Sequence, residues 1–396
     1  MRIGYMPLTL PVINLSGENA VFHYFTLFLR GFFIKNYVIR LKLKLLFPLT
    51  SAAGDDKIVS MKRFKYFFAA LILATVSSCG AVPETGASRE LFAMDTIISI
   101  KAYGQRSEEA VNAAAERLTE LEARFSVTDE NSDIGILNKL GTASVSDDTA
   151  YVVSEALKVC ESTDGALDIT IYPVLREWGF TTGNMHIPTN EAVRSALEKT
   201  GYGDISVSGN TITLPEGYML DLGSCAKGNA GDEMLAVMSE LGATSALVNL
   251  GGNVQTLGSK PDGTEWSVGI ANPFSPNELL GVLQIHDKSV ITSGGYQRYF
   301  TDDSGNVYIH ILDPHTGYPA DSGLVSVTVV GDRGIMCDAL STALFVMGKE
   351  HAVGYWREEG GFDMVLVTDD GNVCITKNIA DSFKNSSGFP VEIIDE

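Results

Sequence analysis

The amino-acid sequence predicts an α+β fold, in which one compact domain of mixed and antiparallel β-sheets is covered by helices. With 45% hydrophobic and 20% charged residues, the chain has enough apolar side chains for a large core. From about residue 90 to residue 390 it contains no low-complexity run, internal repeat or long linker. Helical and strand-like patterns do not alternate as in a doubly wound fold, and the GxGxxG, Walker A, HExxH and GxSxG patterns are absent.

Five segments predict amphipathic helices, because their apolar residues recur every three or four positions. The first has Glu108 and Glu109 in its first turn, where the helix dipole favours negative charge. Thr189 is a typical N-cap for the third helix, and glycines follow the last apolar positions of the third, fourth and fifth. The predicted helices are Ser107–Phe125, Asp148–Glu161, Thr189–Lys199, Lys227–Leu241 and Asp338–Met347.

The segments between these helices predict strands, because they are rich in β-branched and other apolar residues. An Asp-Asp-Gly-Asn sequence at 369–372 is typical of a hairpin turn and is expected to lead into a strand at Val373–Thr376. The other predicted strands are Thr96–Ala102, Ala246–Leu250, Trp266–Ile270, Gly281–His286, Leu324–Val330 and Met364–Val367.

Residues 61–79 have the features of an export signal. A basic Lys-Arg-Phe-Lys run at 62–65 precedes an apolar stretch, 66–76, that is too short to span a bilayer. The stretch ends in Val-Ser-Ser-Cys79, which is similar to the lipobox of bacterial lipoproteins; the alternative is a chance cysteine in an ordinary secretory signal. We therefore expect an exported bacterial lipoprotein that is lipidated on Cys79, anchored to the membrane and facing the periplasm or the cell exterior.

This signal divides the chain into four parts. Residues 1–60 lie upstream of a complete signal, and basic residues interrupt their apolar part, so we expect translation to start at Met61 and 1–60 to be a non-native extension. Residues 61–78 are expected to form the signal peptide, 79–89 a tether and 90–390 the folded domain.

The acidic charge of the chain excludes nucleic acid as a partner. The net charge is −20, and residues 1–78 hold 10 of the 29 Lys and Arg but only 3 of the 49 Asp and Glu. Without that segment, 19 basic and 46 acidic side chains remain, with a net charge of −27. Such a surface repels polyanions, so a phosphate-bearing ligand would need backbone N–H groups, a well-placed lysine or a metal ion.

The segment Asp221–Gly228 combines small residues with one cation. Gly223 and Ser224 would allow a ligand to approach the backbone closely at the end of a predicted strand. The helix that follows would offer N–H groups to a phosphate, and Lys227 would add a positive charge. The alternative is a tight strand–helix turn with an exposed lysine.

The segment Tyr308–Pro319 contains an Asp-Pro-x-Thr-Gly turn, which is structural by itself. His310 lies before this turn, on a predicted strand, and could face a site as a proton acceptor. The alternative is a histidine whose hydrogen bonds are satisfied within the core.

The segment Cys337–Gly348 is predicted to be helical and places three oxygen-bearing side chains on one face, at positions i, i+3 and i+4. One carboxylate with two hydroxyls, from Asp338, Ser341 and Thr342, is a plausible partial shell for Mg²⁺, which keeps waters and ligand phosphates in its remaining positions. The alternative is an aspartate that interacts with the first turn of its own helix.

Together, these segments resemble the FAD:protein FMN transferase family (ApbE-like flavin transferases), and the resemblance extends from Glu90 to Asp381. It includes motifs that are hard to obtain by chance in this order. The further motifs are Met94-Asp-Thr96, Phe125–Asn138, Gly165–Phe180, Asn249-Leu-Gly-Gly-Asn253 and Ser293–Phe300.

The resemblance implies an ApbE-like fold and assigns roles to individual residues. His310 corresponds to the histidine beside the reacting phosphate, and relatives often carry an aromatic residue at the position of Thr128 and an aspartate at that of Ser341. The FAD-binding positions are Met94, Thr128, Ala166, Leu167, Asp168, Asp221, Lys227 and Leu312. The Mg²⁺ ligands are Ser224, Asp338, Ser341 and Thr342.

The resemblance also implies a reaction. The enzyme would cleave FAD with Mg²⁺, transfer FMN as a phosphoester to a Thr or Ser of a partner flavoprotein, and release AMP. His310 would act as the base, with Asp313 as a second candidate, and Asp338 would hold the metal. The acceptors would be subunits of membrane redox complexes with a Ser/Thr-Gly-Ala-Thr-like motif. The alternatives are a Mg²⁺-dependent FAD pyrophosphatase and a non-catalytic, flavin-binding surface lipoprotein.

Overall fold

A nine-stranded sheet lies at the centre of the computed structural model, which describes residues 85–395. In chain order, the strands of residues 85–395 are β1 (Gly86–Ala93), β2 (Thr96–Tyr103), β3 (Thr142–Ser144), β4 (Ser206–Ser208), β5 (Thr211–Thr213), β6 (Ser245–Leu250), β7 (Asn253–Leu257), β8 (Trp266–Asn272), β9 (Ser275–Ile285), β10 (Ser289–Gly294), β11 (Tyr299–Thr301), β12 (Val307–Ile309), β13 (Leu324–Gly331), β14 (Asp363–Thr368), β15 (Val373–Thr376), β16 (Phe383–Asn385) and β17 (Val391–Ile394).

The central sheet has the strand order β1-β2-β6-β7-β10-β13-β14-β15-β17. All neighbours in it are antiparallel except β15 and β17, which are parallel. The described residues also form two three-stranded sheets, β16-β9-β8 and β3-β5-β4, and the hairpin β11-β12. The predicted α+β class with mixed and antiparallel sheets is therefore confirmed.

The described residues contain seven α-helices and three short 3₁₀ helices. In chain order, the α-helices are α1 (Ser107–Phe125), α2 (Asp133–Leu140), α3 (Asp147–Ser162), α4 (Tyr172–Trp178), α5 (Asn190–Leu197), α6 (Ala226–Glu240) and α7 (Gly334–Glu359). The 3₁₀ helices are Tyr202–Asp204, Gly295–Gln297 and Lys377–Ile379. The five predicted helices correspond to α1, α3, α5, α6 and α7, whereas the sequence did not predict α2 and α4.

Helix α7 differs most from its prediction. It begins four residues before the expected start at Asp338, and Gly348, which we expected to end it, is a kink with φ of 76° inside it. The expected tether also differs, because β1 begins at Gly86 and thus takes up the last residues of the 79–89 segment. The folded part therefore begins earlier than residue 90.

The two faces of the central sheet are covered differently. Met364 and Leu366 belong to a core with the helices, in which α1 packs on α6, and α7 packs on α6, β10 and β13. Val365 and Val367, which alternate with them on β14, belong to a second core with the β8–β9 hairpin. This alternation is what the period of two in a strand requires when both faces are buried.

No helix within residues 85–395 is long and apolar enough to cross a membrane. The predicted signal peptide, Cys79 and the rest of residues 1–84 lie outside the described residues, so the structure does not test those predictions.

Candidate functional site

Helices α6 and α7 begin side by side because α6 has a glycine at the contact. A Cβ atom on Gly228 would lie 2.2 Å from the carbonyl oxygen of Gly334 and 2.7 Å from the Cβ of Asp338. With hydrogen in its place, the Gly228 N–H donates to Oδ2 of Asp338 at 2.8 Å. The sequence pattern Lys227-Gly228 thus brings the first turn of α6 against the carboxylate of α7.

The carboxylate of Asp338 is held on both of its oxygens. Nδ2 of Asn253, at the start of β7, donates to Oδ1 at 3.0 Å, and Gly228 occupies Oδ2. Burial raises the pKa of Asp338, while the positive charge of Lys227 and these hydrogen bonds lower it. The partners of Asp338 come from α6 and β7 and not from the first turn of its own helix.

Three hydroxyl groups, from α7 and β10, form a cluster next to the backbone of Asp338. Oγ of Ser341 donates to the carbonyl of Asp338 at 2.8 Å and lies 2.7 Å from Oγ of Ser293, which is also 3.2 Å from Oγ1 of Thr342. Ser341 is fully buried, whereas Thr342 is partly exposed, so Thr342 is the more accessible of the two predicted ligands. Ser293, from the Ser-Gly-Gly-Tyr motif on β10, was not among the predicted ligands.

The oxygen donors of this site suit Mg²⁺, which also takes ligands from water and substrate, better than they suit a metal ion whose ligands all come from the protein. Within residues 85–395, no group of three or more His, Cys, Asp or Glu side chains could hold a metal ion. The site instead offers one carboxylate, Asp338, with neighbouring hydroxyls. Such a set matches a cation that keeps waters and substrate phosphates among its ligands. Ser224, the remaining predicted ligand, lies in the turn that leads into α6.

The loop before α6 is ordered by Asp221. Its Oδ1 accepts from the Gly223 N–H at 2.6 Å, and its own N–H donates to the carbonyl of Ile169 at 2.8 Å. Nζ of Lys227 lies 3.4 Å from the carbonyl of Gly223. The prediction of a strand before this loop is wrong. In its place the structure has an isolated β-bridge between Met219 and Ile171, which follows the 165–170 segment directly. The loop and the Ala-Leu-Asp motif are therefore adjacent.

Asp168 organises that motif. Its Oδ1 accepts from N–H and Oγ1 of Thr170 at 2.8 and 2.6 Å, and its Oδ2 accepts from the Tyr202 N–H at 3.2 Å. Burial raises the pKa of Asp168 against the effect of these hydrogen bonds. The two preceding predicted positions, Ala166 and Leu167, are buried in the core.

His310 lies directly after β12 and not on it, which corrects the predicted position. Its Nδ1 is 3.0 Å from the carbonyl of Arg298, so we assign the proton to Nδ1 and leave Nε2 as the acceptor. Burial, together with the positive charges of Arg298 and Lys227, lowers the pKa of His310 to about 4, although the hydrogen bond to the Arg298 carbonyl raises it. The imidazole is therefore neutral around pH 7 and able to accept a proton.

The turn after His310 has a structural role. Asp313 accepts from the His315 N–H at 2.9 Å and from Oγ1 of Thr316 at 3.2 Å. Both oxygens of its carboxylate therefore bond within the turn. Leu312 forms a bridge with Pro319 and is buried in an aromatic cluster. Asp313 is thus a weaker candidate for the base than His310.

Met94 lies at the tip of the β1–β2 hairpin and not in a strand. Its φ of 48° is in the left-handed region, and its N–H donates to Oε1 of Glu122 at 2.5 Å. The neighbouring Asp95 is 3.9 Å from the guanidinium of Arg298, which connects this tip to the His310 segment. Thr128 is exposed, and its hydrogen bonds stay within its own loop.

Lys227 is the common neighbour of the three predicted segments. Its charge acts on the pKa of Asp221, of His310 and of Asp338. The Asp221 loop, the His310 segment and the start of α7 therefore all lie within range of this one positive charge. A cation beside a helix N-terminus can bind phosphate, which an acidic surface otherwise repels.

Comparisons with known proteins identify the family of this chain. The model of the ApbE family matches residues 94–366. A relative from Treponema pallidum (strain Nichols), named FAD:protein FMN transferase, is 32% identical over 335 residues, which cover 78% of this chain and 92% of the relative. A relative of the same name from Vibrio cholerae serotype O1 is 32% identical over 263 residues, which cover 64% of this chain and 78% of the relative.

Solved structures show the same fold. The ApbE protein of Thermotoga maritima aligns with a TM-score of 0.69 at 31% identity and covers 76% of this chain and 97% of its own. The apo form of the Pseudomonas stutzeri flavinyl transferase ApbE also has a TM-score of 0.69, at 27% identity, and covers 76% of this chain and 98% of its own. The resemblance of the sequence motifs is confirmed, and this chain belongs to the ApbE family.

Proposed function

We propose that this protein is a FAD:protein FMN transferase, the activity for which its relatives are named. The observation that carries the proposal is that the first turn of α6, which contains Lys227, lies against Asp338, with the Gly228 N–H donating to Oδ2 at 2.8 Å. The charge of Lys227 also acts on Asp221 and His310. The three segments supply a proton acceptor, a carboxylate with hydroxyls, and a cation beside a helix N-terminus. These groups match the needs of phosphoryl transfer, which depends on positioning and charge neutralisation.

The proposed reaction transfers the FMN half of FAD. The hydroxyl oxygen of a Thr or Ser on the acceptor protein attacks the phosphorus on the FMN side, and a new P–O bond forms. The bond from this phosphorus to the bridging oxygen breaks, and AMP leaves with that oxygen. The proton of the hydroxyl goes to Nε2 of His310, which is free because Nδ1 donates to Arg298.

The proposed cation is Mg²⁺, held by Asp338 and Thr342 with Ser224 and Ser341 nearby. When bound, Mg²⁺ neutralises charge on the phosphates and polarises them. Lys227 and the first N–H groups of α6 would stabilise the remaining negative charge. Asp338 is the only full negative charge in this predicted ligand set, so it would hold the ion most strongly.

The test is an incubation with FAD, Mg²⁺ and a protein that carries a Ser/Thr-Gly-Ala-Thr-like motif. We expect covalent flavin on the acceptor, seen as in-gel fluorescence and as a mass increase, together with AMP. An acceptor whose motif hydroxyl is replaced by alanine is the control. Free FMN with AMP, formed equally without an acceptor, would instead indicate a pyrophosphatase, and unchanged FAD would indicate a flavin-binding protein.

We also propose that the enzyme acts outside the cytoplasm as a lipoprotein attached through Cys79. The lipobox-like sequence and the short apolar stretch before it support this. Attachment to the membrane would raise the effective concentration of the enzyme near acceptor subunits of membrane redox complexes. Mass spectrometry of protein purified from native membranes should find a chain that begins at lipidated Cys79; an unmodified Cys79 would contradict the proposal.

A further inference from the structure

We propose that Asn253 is a positioning residue that fixes the carboxylate of Asp338 for the divalent cation. The inference rests on the proposed function, since it concerns the same metal site. Asn253 is part of the Asn-Leu-Gly-Gly-Asn motif, for which neither the predicted ligands nor the proposed reaction provides a role.

The contact has the geometry of a fixed carboxylate. Oδ2 of Asp338 accepts from Gly228 and Oδ1 accepts from Nδ2 of Asn253, so each oxygen has one protein partner. Two donors on different elements prevent rotation about the Cβ–Cγ bond. Each oxygen retains further lone-pair capacity, because a carboxylate offers about four acceptor sites. The carboxylate is thus oriented and still able to bind a cation.

The turn before Asn253 determines where its amide lies. Leu250 and Asn253 pair across the β6–β7 hairpin, and the two residues between them are glycines with φ of 63° and 105°. Two positive φ angles are typical of a tight two-residue hairpin. A Cβ atom on Gly251 would lie 2.3 Å from Oγ1 of Thr96, so the turn is packed against the β1–β2 tip.

A fixed carboxylate matters more for Mg²⁺ than for most cations. Mg²⁺ requires near-ideal octahedral geometry, and here it would have a single carboxylate ligand among the predicted residues. Residues that hydrogen-bond a metal ligand orient it, and their loss typically costs 10- to 100-fold in metal affinity. Asn253 is 3% exposed, so bulk water has little access to replace its amide.

The same strand provides a matched control. Gln255 lies two residues further along β7, on the same face, and is fully buried. Its Nε2, which has two hydrogens to donate, lies within hydrogen-bonding distance of the carbonyl of Gly228, of Oδ1 of Asp232 and of Oγ of Ser289. It therefore has the chemistry and burial of Asn253 without touching Asp338.

The experiment measures Mg²⁺ affinity by isothermal titration of the full chain with FAD present. Asn253→Leu keeps the branched side-chain shape and removes the donor, Asn253→Ala removes both, and Gln255→Leu is the control. We expect the Asn253 variants to bind Mg²⁺ about 10-fold more weakly or worse, and Gln255→Leu to bind within about twofold of wild type despite a lower melting temperature.

The outcomes separate the inference from the proposed function. Wild-type Mg²⁺ affinity in Asn253→Leu, or an equal loss in Gln255→Leu, would overturn the positioning role. A wild-type chain that binds no Mg²⁺ would overturn both the metal site and the inference. Weaker Mg²⁺ binding in the Asn253 variants supports the inference even when no covalent flavin forms. The absence of covalent flavin would contradict only the proposed transferase reaction.

Discussion

The two halves of the site are built differently. Around Asp338, the polar groups come from two long helices and two strands of the central sheet, and they are paired with buried partners. His310, in contrast, follows the three-residue strand β12, and both its backbone N–H and its Nδ1 bond to the same acceptor, the carbonyl of Arg298. The half around Asp338 is fixed by secondary structure, whereas the half around His310 depends on a short hairpin.

The hairpin half gains its order from aromatic packing. Phe300 and Tyr308, which pair across β11 and β12, stack with ring centroids 5.1 Å apart and also contact Trp178. The edge of the Phe180 ring faces His310 at 6.4 Å. Apolar surroundings keep His310 neutral, while hydrogen bonds keep Asp338 oriented. The comparison teaches that the surroundings of His310 set its protonation state, whereas hydrogen bonds set the orientation of the Asp338 carboxylate.

The largest effect is expected at Asp338. Asp338→Asn keeps the shape but removes the charge, and turnover should fall about 1,000-fold, or about 4 kcal/mol. Asp332→Asn is the control, because Asp332 is exposed and pairs with Lys288 outside the site. Turnover at saturating Mg²⁺ and circular dichroism are measured together. A folded Asp338→Asn enzyme with wild-type turnover would place the metal elsewhere.

The next effect concerns His310. His310→Ala should lower turnover about 100-fold, the smaller end of the range for a general base. Because the pKa of His310 is about 4, its protonation should not reduce the wild-type rate between pH 8 and pH 5. The rate attributed to this group should fall only as the pH approaches 4. An inflection near pH 6.5 that disappears in His310→Ala would contradict the lowered pKa of this imidazole.

A smaller effect is expected at Lys227, which serves both halves. Lys227→Ala should weaken FAD binding about 10-fold, or about 1.4 kcal/mol, because a cation near the phosphates is lost. Titration of flavin fluorescence measures the dissociation constant. Lys139→Ala, which removes an exposed lysine paired with Glu130, is the control. Equal affinities for wild type and Lys227→Ala would show that Lys227 does not contribute to FAD binding and that this loop is a structural turn.

The same comparison explains how much the sequence could predict. Helices α1, α3, α5 and α6 were predicted to within about two residues at each end, because apolar periodicity and terminal glycines are local signals. Helix α2 was missed although Ser132 caps it and Gly141 ends it, since eight residues give only two turns of periodicity. The fold class was predictable for the same local reason, whereas the roles of the three site segments stay predictions.

Long-range contacts were not predictable in this way. The early start of α7 depends on Asp232 of α6, whose carboxylate accepts from the N–H groups of Gly334 and Ile335 at 2.7 and 2.9 Å. The Asn253–Asp338 hydrogen bond joins residues 85 positions apart. The local sequence around one residue does not indicate its partner, because sheet register and helix packing determine such pairs.

The effect on turnover should be smallest at Asp232, where the expected change is in stability. Burial raises the pKa of Asp232 to about 6, above its ordinary value of 3.8. The folded state therefore binds the proton more tightly than the unfolded state. The stabilisation from this group is complete below about pH 4 and is lost as the pH rises through 6.

Asp232→Asn removes this titrating group, so the difference in stability between wild type and the variant gives the contribution of Asp232. The free energy of unfolding of wild type minus that of Asp232→Asn should decrease by about 2–3 kcal/mol between pH 4 and pH 7, as measured by urea denaturation. Asp302→Asn, in the β11–β12 hairpin, should give the opposite sign, because hydrogen bonds from Asn306 hold the pKa of Asp302 below its usual value. The stability from Asp302 is present above its unfolded pKa and is lost as the pH falls. A difference for Asp232→Asn that does not change with pH would show that the N–H groups of α7 stabilise its carboxylate as well as water does.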